Sequence, residues 1–192
     1  MRKILLSLTV AVCCISAHAQ ESFSDNYSGS IKLGAGYVYD FPGMNGYGVH
    51  GNYSFPLSEW LQGEAGLKRI EASGFPRTSA IKEFTKASVL DFNLLAVPFH
   101  SDNAAFRIGG GYSFSFYHIL RSYPSYGTAA NGPTAKDPSW QTQESKGRMN
   151  GFSLTAEYEY YFQNKVSAGV RVSLCKAYNN VLMAGPFAAI NF

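Results

Sequence analysis

The sequence predicts an all-β chain folded as an eight-stranded antiparallel up-and-down transmembrane β-barrel. Three observations predict it. The N-terminus has the form of an export signal. Eight later segments alternate apolar and polar residues at period two. Tight turns alternate with other connections along the chain, two of them long.

The chain begins "MRKILLSLTVAVCCISAHAQ", with Arg2 and Lys3 ahead of an apolar run from Ile4 to Ile15. Ala17-His18-Ala19 supplies a small-x-small cleavage site. The run is shorter than the about 20 residues a spanning helix needs. Residues 1–19 are therefore expected to be a cleaved signal peptide, and 20–192 a single barrel domain. Cys13 and Cys14 raise the alternative of a lipid anchor, but Val12 and Cys13 are poor residues to precede that cleavage. Without Arg2 and Lys3 the formal charge falls from +3 to +1, 14 basic residues against 13 acidic. That balance argues against nucleic acid as a partner. Cys175 is then the single cysteine, so no intrachain disulfide forms despite an oxidising destination.

The strands follow in order. In "SIKLGAGYVYDF", Ile31, Leu33, Ala35, Tyr37, Tyr39 and Phe41 oppose Lys32, Gly34, Gly36, Val38 and Asp40. After "PGMN", "GYGVHGNYSF" sets Tyr47, Val49, Tyr53 and Phe55 against Gly48, His50, Asn52 and Ser54. "PLSE" turns into "WLQGEAGLKRI", where Leu61, Ala65 and Leu67 oppose Gln62, Glu64, Gly66 and Lys68. Residues 71–83 read as a loop. "ASVLDFNLLAVPF" is less clean, with Leu94 beside Leu95. "HSDN" turns into "AFRIGGGYSFSFYHI", where Phe106, Ile108, Tyr112, Phe114 and Phe116 oppose Arg107, Gly109, Gly111, Ser113 and Ser115. The stretch 121–148, rich in Ser, Pro, Gly and Asn, reads as the longest loop. "GFSLTAEYEYYF" then puts Glu157 and Glu159 back to back with a row from Phe152 to Phe162. "QNK" leads to "VSAGVRVSLCK", and "AYNNV" to the closing "MAGPFAAINF".

Alternation does not say which row faces out, because soluble and membrane barrels share the pattern. Export, strands near ten residues and the two-ended contrast of turns favour apolar out. Aromatics gather where strands end, at Tyr39 and Phe41, Tyr53 and Phe55, Tyr160 and Phe162. Amphipathic rings suit the headgroup zone. The polar row also carries Gly34, Gly36, Gly66, Gly109, Gly111 and Gly169, which suit a narrow inward-curving wall. Its charges, Lys32, Glu64, Lys68, Arg107, Glu157, Glu159 and Arg171, would then meet inside. Arg107 and Arg171 lie on the strands flanking the glutamate strand, so an interior ionic network closing the lumen is expected.

"PLSEWLQGEAGL", "FRIGGGYSFSF" and the closing "AAINF" give the chain its resemblance to a known family. It resembles the small outer-membrane β-barrel domain proteins of the OmpA/OmpX type, particularly the porin-like barrels of Bacteroidota, over roughly residues 28–192. The resemblance implies location in the cell outer membrane among outer-membrane lipids and lipopolysaccharide. It also implies a terminal Phe192 read by the barrel-assembly machinery. Pro186, inside the last strand, departs from that pattern.

Candidate chemistry is sparse, and no cofactor or metal is expected. His50 has no second ligand spaced beside it, and His118 is read as a solvated rim residue. His100, Ser101 and Asp102 suggest a lipid A-modifying hydrolase, but they are adjacent in a turn on the side away from the outer leaflet. Asp91 with Asn93 reads as lumenal packing and Cys175 as an inert thiol. Arg77, Lys82 and Lys86 are candidates for lipopolysaccharide phosphates, and Tyr123, Tyr126 and Trp140 in the long loop for an extracellular ligand. The expected function is a monomeric, non-enzymatic barrel that stabilises the envelope or binds through its loops. A narrow-channel porin for small solutes is the alternative.

Overall fold

The computed structural model describes residues 29–76, 81–125, 139–163 and 165–192. The segment read as a signal peptide lies outside the described residues. Eight strands follow one another: β1 (Ser30–Asp40), β2 (Asn45–Ser58), β3 (Leu61–Gly74), β4 (Lys82–Ser101), β5 (Ala104–Ser125), β6 (Ser139–Gln163), β7 (Val166–Lys176) and β8 (Asn180–Asn191). Each pairs antiparallel with the next, and β1 pairs with β8 to close the ring. Closure removes the sheet edges, so every strand of the wall has a partner on both sides.

The apolar row faces outward. Leu33 is 65% exposed and Phe152 83%, whereas Lys32 is 0% and Glu157 1% exposed. Both ends of the barrel chain, Ser30 and Asn191, lie opposite one another at one end of the ring, the terminal end. The tight β2–β3, β4–β5 and β6–β7 turns are at this same end, and register shifts interrupt the ladders beside all three. Such bulges raise local twist where a strand must reverse. Aromatic rings mark the terminal end: Tyr53 stacks on Phe55 at 5.9 Å and on Phe192 at 6.3 Å, and Tyr160 meets Phe162 at 5.3 Å. Tyr39 and Phe41 stand at the far end.

The β1–β8 seam explains how Pro186 is tolerated. The ladder runs from Ser30↔Asn191 to Gly34↔Phe187 and resumes at Tyr37↔Ala184. It lapses where Pro186, lacking an N–H, would face Ala35. The backbones still approach closely there, since a Cβ on Gly36 would fall 2.5 Å from the Ala184 carbonyl oxygen. At the far end Gly43 turns the chain between β1 and β2 with φ 110°, a conformation open to glycine.

Two expected loops are shorter than the sequence suggests. β3 continues to Gly74 and β4 starts at Lys82, narrowing the loop read at 71–83. The stretch read as a loop over 121–148 holds the end of β5 and the start of β6, paired from Tyr117↔Gly147 up to Ser125↔Ser139. Beyond the reach of β7 these residues form a ribbon whose β5 side still pairs with β4 up to Ser122, with Gln141 to Lys146 all exposed. Neither face of a ribbon in water must be apolar, so backbone pairing continues after the alternation has vanished.

Candidate functional site

The lumen is filled in two storeys. The lower, toward the terminal end, is built from one register row: Arg107 on β5 lies opposite Glu157 on β6, which lies opposite Arg171 on β7. Alternation turns all three inward. Glu157 accepts from Arg107 at 3.1 Å, from Arg171 at 3.0 Å and from Lys32, which reaches across from β1. Glu159, two residues along β6, binds Arg107 and the Ser167 hydroxyl, with the Lys32 ammonium 3.5 Å away.

Arg171 grips Glu64 of β3 with both terminal nitrogens, at 2.7 and 2.5 Å. Glu64 also accepts from Ser54 at 3.3 Å and Asn93 at 3.2 Å. Arg107 also donates to the Tyr161 hydroxyl. Lys32, Arg107 and Arg171 thus face Glu64, Glu157 and Glu159, a charge-balanced cluster. Balance matters because a lone buried charge would cost several kcal/mol, on the order of 3–5. Lys68 pairs elsewhere, with Asp91 at 2.6 Å. It lies four residues beyond Glu64 on β3, roughly 13 Å farther up the wall. Asp91 therefore has an ion pair and does more than fill space beside Asn93.

The upper storey is apolar, and reading the polar row by residue type missed it. Val38, Met44, Ile70, Ala72, Ala87, Val89, Cys175, Ala177, Val181 and Met183 form one buried cluster, with Tyr117 packed against it. The signal was present: Val38, Val89 and Cys175 share the inward parity of the charged residues, and all lie toward the far end of their strands. Above them is a polar cap. Asn179 donates to Asp40 at 3.2 Å, while Arg121 donates to Glu83 at 2.8 Å and to Tyr178 at 3.3 Å.

The other candidates fall at separate places. His50 shares a 2.7 Å hydrogen bond with Asn52 in the lumen. His118 is outside, 2.8 Å from Glu144 on the ribbon. Glu144 also takes a hydrogen bond from Lys146, which holds its carboxyl below the usual carboxylate range. Ser101 Oγ is held in the β4–β5 turn, donating to the Ala104 carbonyl at 3.2 Å and accepting from its N–H at 3.1 Å. Cys175 is buried with a free thiol. Tyr123 is half-buried on β5, the backbone of Trp140 lies on β6 opposite Pro124, and Tyr126 and Arg77 lie outside the described residues. Phe192 is at the terminal edge, where its backbone exchanges two hydrogen bonds with Gly29, at 2.9 and 3.0 Å. Among the described residues no group of three or more His, Cys, Asp or Glu could hold a metal ion.

Comparison with known proteins gives a consistent picture. The family model "outer membrane protein beta-barrel domain" matches residues 5–181. The crystal structure of Ail, the attachment invasion locus protein of Yersinia pestis, superposes with a TM-score of 0.52 at 9% identity, covering 86% of this chain and 98% of that one. Neisserial surface protein A gives a TM-score of 0.46 at 11% identity, over 85% and 97% of the two chains. The N-terminal barrel of Pseudomonas aeruginosa OprF gives 0.42 at 12% identity, over 87% and 100%. No curated protein matches the sequence significantly.

Proposed function

The chain belongs to the outer membrane protein β-barrel domain family and sits in the outer membrane. On that premise we propose that it is a non-enzymatic envelope barrel with a closed lumen, and that its β5–β6 ribbon meets extracellular partners. The terminal end then faces the periplasm, as short turns do in such barrels, and the ribbon faces out.

Burial carries the reading. Lys32, Arg107, Glu157 and Glu159 are at most 2% exposed, and the residues above them are equally closed off from solvent. A conducting channel of this kind keeps a polar, water-filled interior, whereas here side chains occupy both storeys. Against hydrolysis stands the position of Ser101, clamped in a periplasmic turn and pointing its hydroxyl at backbone. Phe192 is exposed at the periplasmic edge.

Planar-bilayer recording of the processed chain tests the closed lumen. No steady conductance above the lipid baseline is expected, and a large stable one would establish the narrow porin instead. The name of the Yersinia pestis barrel suggests an assay for the ribbon. Excising residues 126–138 should abolish adhesion to matrix proteins while leaving the barrel folded.

A further inference from the structure

Three residues join β7 to β8, and they bend into the outer mouth of the lumen. Ala177 is 1% exposed, and its N–H is held by the Asn179 carbonyl at 2.9 Å. β6 continues past this turn without a β7 partner, so the turn passes inside β6 to reach β5. There the Ser115 hydroxyl donates to the Ala177 carbonyl at 2.7 Å, and the Tyr178 ring packs on Tyr117 at 5.0 Å. Arg121 donates to the Tyr178 hydroxyl at 3.3 Å. Gly147 of β6 leaves room for this crossing, since a Cβ there would strike the Tyr117 ring. On the other side the Asn179 amide donates to Asp40 at 3.2 Å, where β1 ends beside the Tyr39 and Phe41 rings of the outer interface. The turn is thus a strap over the apolar storey, fixed to β5 at one side and to β1 at the other.

The two anchors differ. Asp40 is 1% exposed, and among the described residues no cation pairs with it. Its Oδ2 takes the Asn179 amide, while its Oδ1 has no hydrogen bond. Across the mouth stand Glu83 from β4 and Arg121 from β5, and Arg121 is engaged with Glu83 at 2.8 Å and with Tyr178. The neighbours from β8 and the β1–β2 turn, Val181 and Met44, are apolar. A buried carboxylate with a neutral partner and a second carboxylate nearby holds its proton more tightly than one in water. Burial pushes the Asp40 carboxyl up to about 6, the Asn179 hydrogen bond holds it down in part, and Glu83 adds to the rise.

We propose that the Ala177–Asn179 strap is a pH-sensitive closure of the outer mouth, locked shut by protonated Asp40 and released when Asp40 ionises. The neutral acid accepts from Asn179 without burying a charge. The anion is stabilised when the strap lifts and admits water, so ionisation favours the open mouth. Because the carboxyl is raised in the closed form, the hold is complete below about pH 4 and declines as pH rises through about 6. The strap rests on the closed-lumen reading and says how that closure is regulated.

Cys175 reports on the strap, being the one cysteine among the described residues and buried with Ala177 in the same apolar cluster. The test measures its labelling by a small methanethiosulfonate in the detergent-solubilised, processed chain at pH 5 and at pH 7.5. Each rate is divided by that of Asp40→Asn at the same pH. The division cancels the thiolate fraction, and the variant keeps an acceptor for Asn179 with no proton to lose. The ratio should rise about tenfold between the two pH values, as a carboxyl moved from 3.8 to about 6 dictates over that span. Amide protection factors over Ala177 to Asn180, corrected for intrinsic exchange, should fall about tenfold in the unmodified chain, a measurement that needs no variant. A ratio unchanged with pH, or strap protection that does not fall, would overturn the strap and leave the closed lumen standing. Fast labelling of both proteins at both pH values would reveal a water path to Cys175, and would overturn the closed lumen and the strap together.

Discussion

The two storeys of the lumen are made by the same strands at the same parity, yet they hold together by opposite physics. The lower encloses Lys32, Arg107 and Arg171 with Glu64, Glu157 and Glu159; the upper encloses Val38, Ile70, Val89 and Met183. Apolar burial stabilises in proportion to area and tolerates repacking. A buried ionic cluster returns little net free energy over an apolar one, but it punishes any arrangement that separates its members. In a barrel whose eight strands look alike, such punishment discriminates against a slipped register. The lower storey specifies the ring, and the upper storey adds stability to it.

Breaking one member of the lower cluster gives the largest expected effect. Glu157→Gln withdraws a charge that Lys32, Arg107 and Arg171 share, and should cost about 3–5 kcal/mol in urea unfolding followed by gel mobility. The variant should fold into the same ring. A loss below about 1 kcal/mol would mean that water reaches these charges and that the storeys do not differ as described.

Next comes the upper storey. Ile70→Ala, at a side chain 1% exposed, should cost about 2–4 kcal/mol in the same assay. Because the storeys lie in series along the lumen, either variant alone should stay non-conducting in a planar bilayer, the other storey still closing the path. Conductance in Glu157→Gln alone would show that the upper storey does not seal. Replacing Lys68 and Asp91 together by Met and Leu sharpens the contrast further. Removing both partners strands no charge, so stability should change by no more than about 1 kcal/mol, whereas Asp91→Leu alone should cost about 3 kcal/mol.

Legibility in the sequence follows the same contrast. Period-two alternation reports a difference between two faces, and it is strong where lipid touches one face and charge fills the other. Glu157 and Glu159 against Tyr158 and Tyr160 is such a place, and so is Arg107 between Phe106 and Ile108. The signal fails where the faces are alike. Around Val38 both faces are apolar, so the upper storey was marked by inward parity alone and not by alternation. Along Gln141 to Lys146 both faces are wet, so a paired ribbon read as a loop. Which carboxylate each cation takes was also out of reach. That Arg171 clasps Glu64 from across the lumen depends on side-chain length and barrel width, neither of which strand parity contains.

Outside the storeys the expected effects shrink. Arg121→Ala, at the partly exposed cap, removes contacts to Glu83 and Tyr178 and should cost at most about 1 kcal/mol, since water screens the pair. The ribbon is the limit of this series. The hydrogen bond from Lys146 lowers the Glu144 pKa below its ordinary 4.5. A lowered carboxylate pKa contributes stability that is fully present above the unfolded value and is lost as pH falls through the folded one. That contribution belongs to a fully exposed pair on the stretch of β6 that has no β7 partner, so Glu144→Gln should leave the global unfolding midpoint unmoved at neutral pH. Its trace should be local: lower amide protection factors, corrected for the intrinsic exchange rate, over Gln141 to Lys146 below about pH 4.5 in the unmodified chain, and no such pH step in the variant. A midpoint shift as large as that of Arg121→Ala would mean that ribbon and cap unfold as one unit.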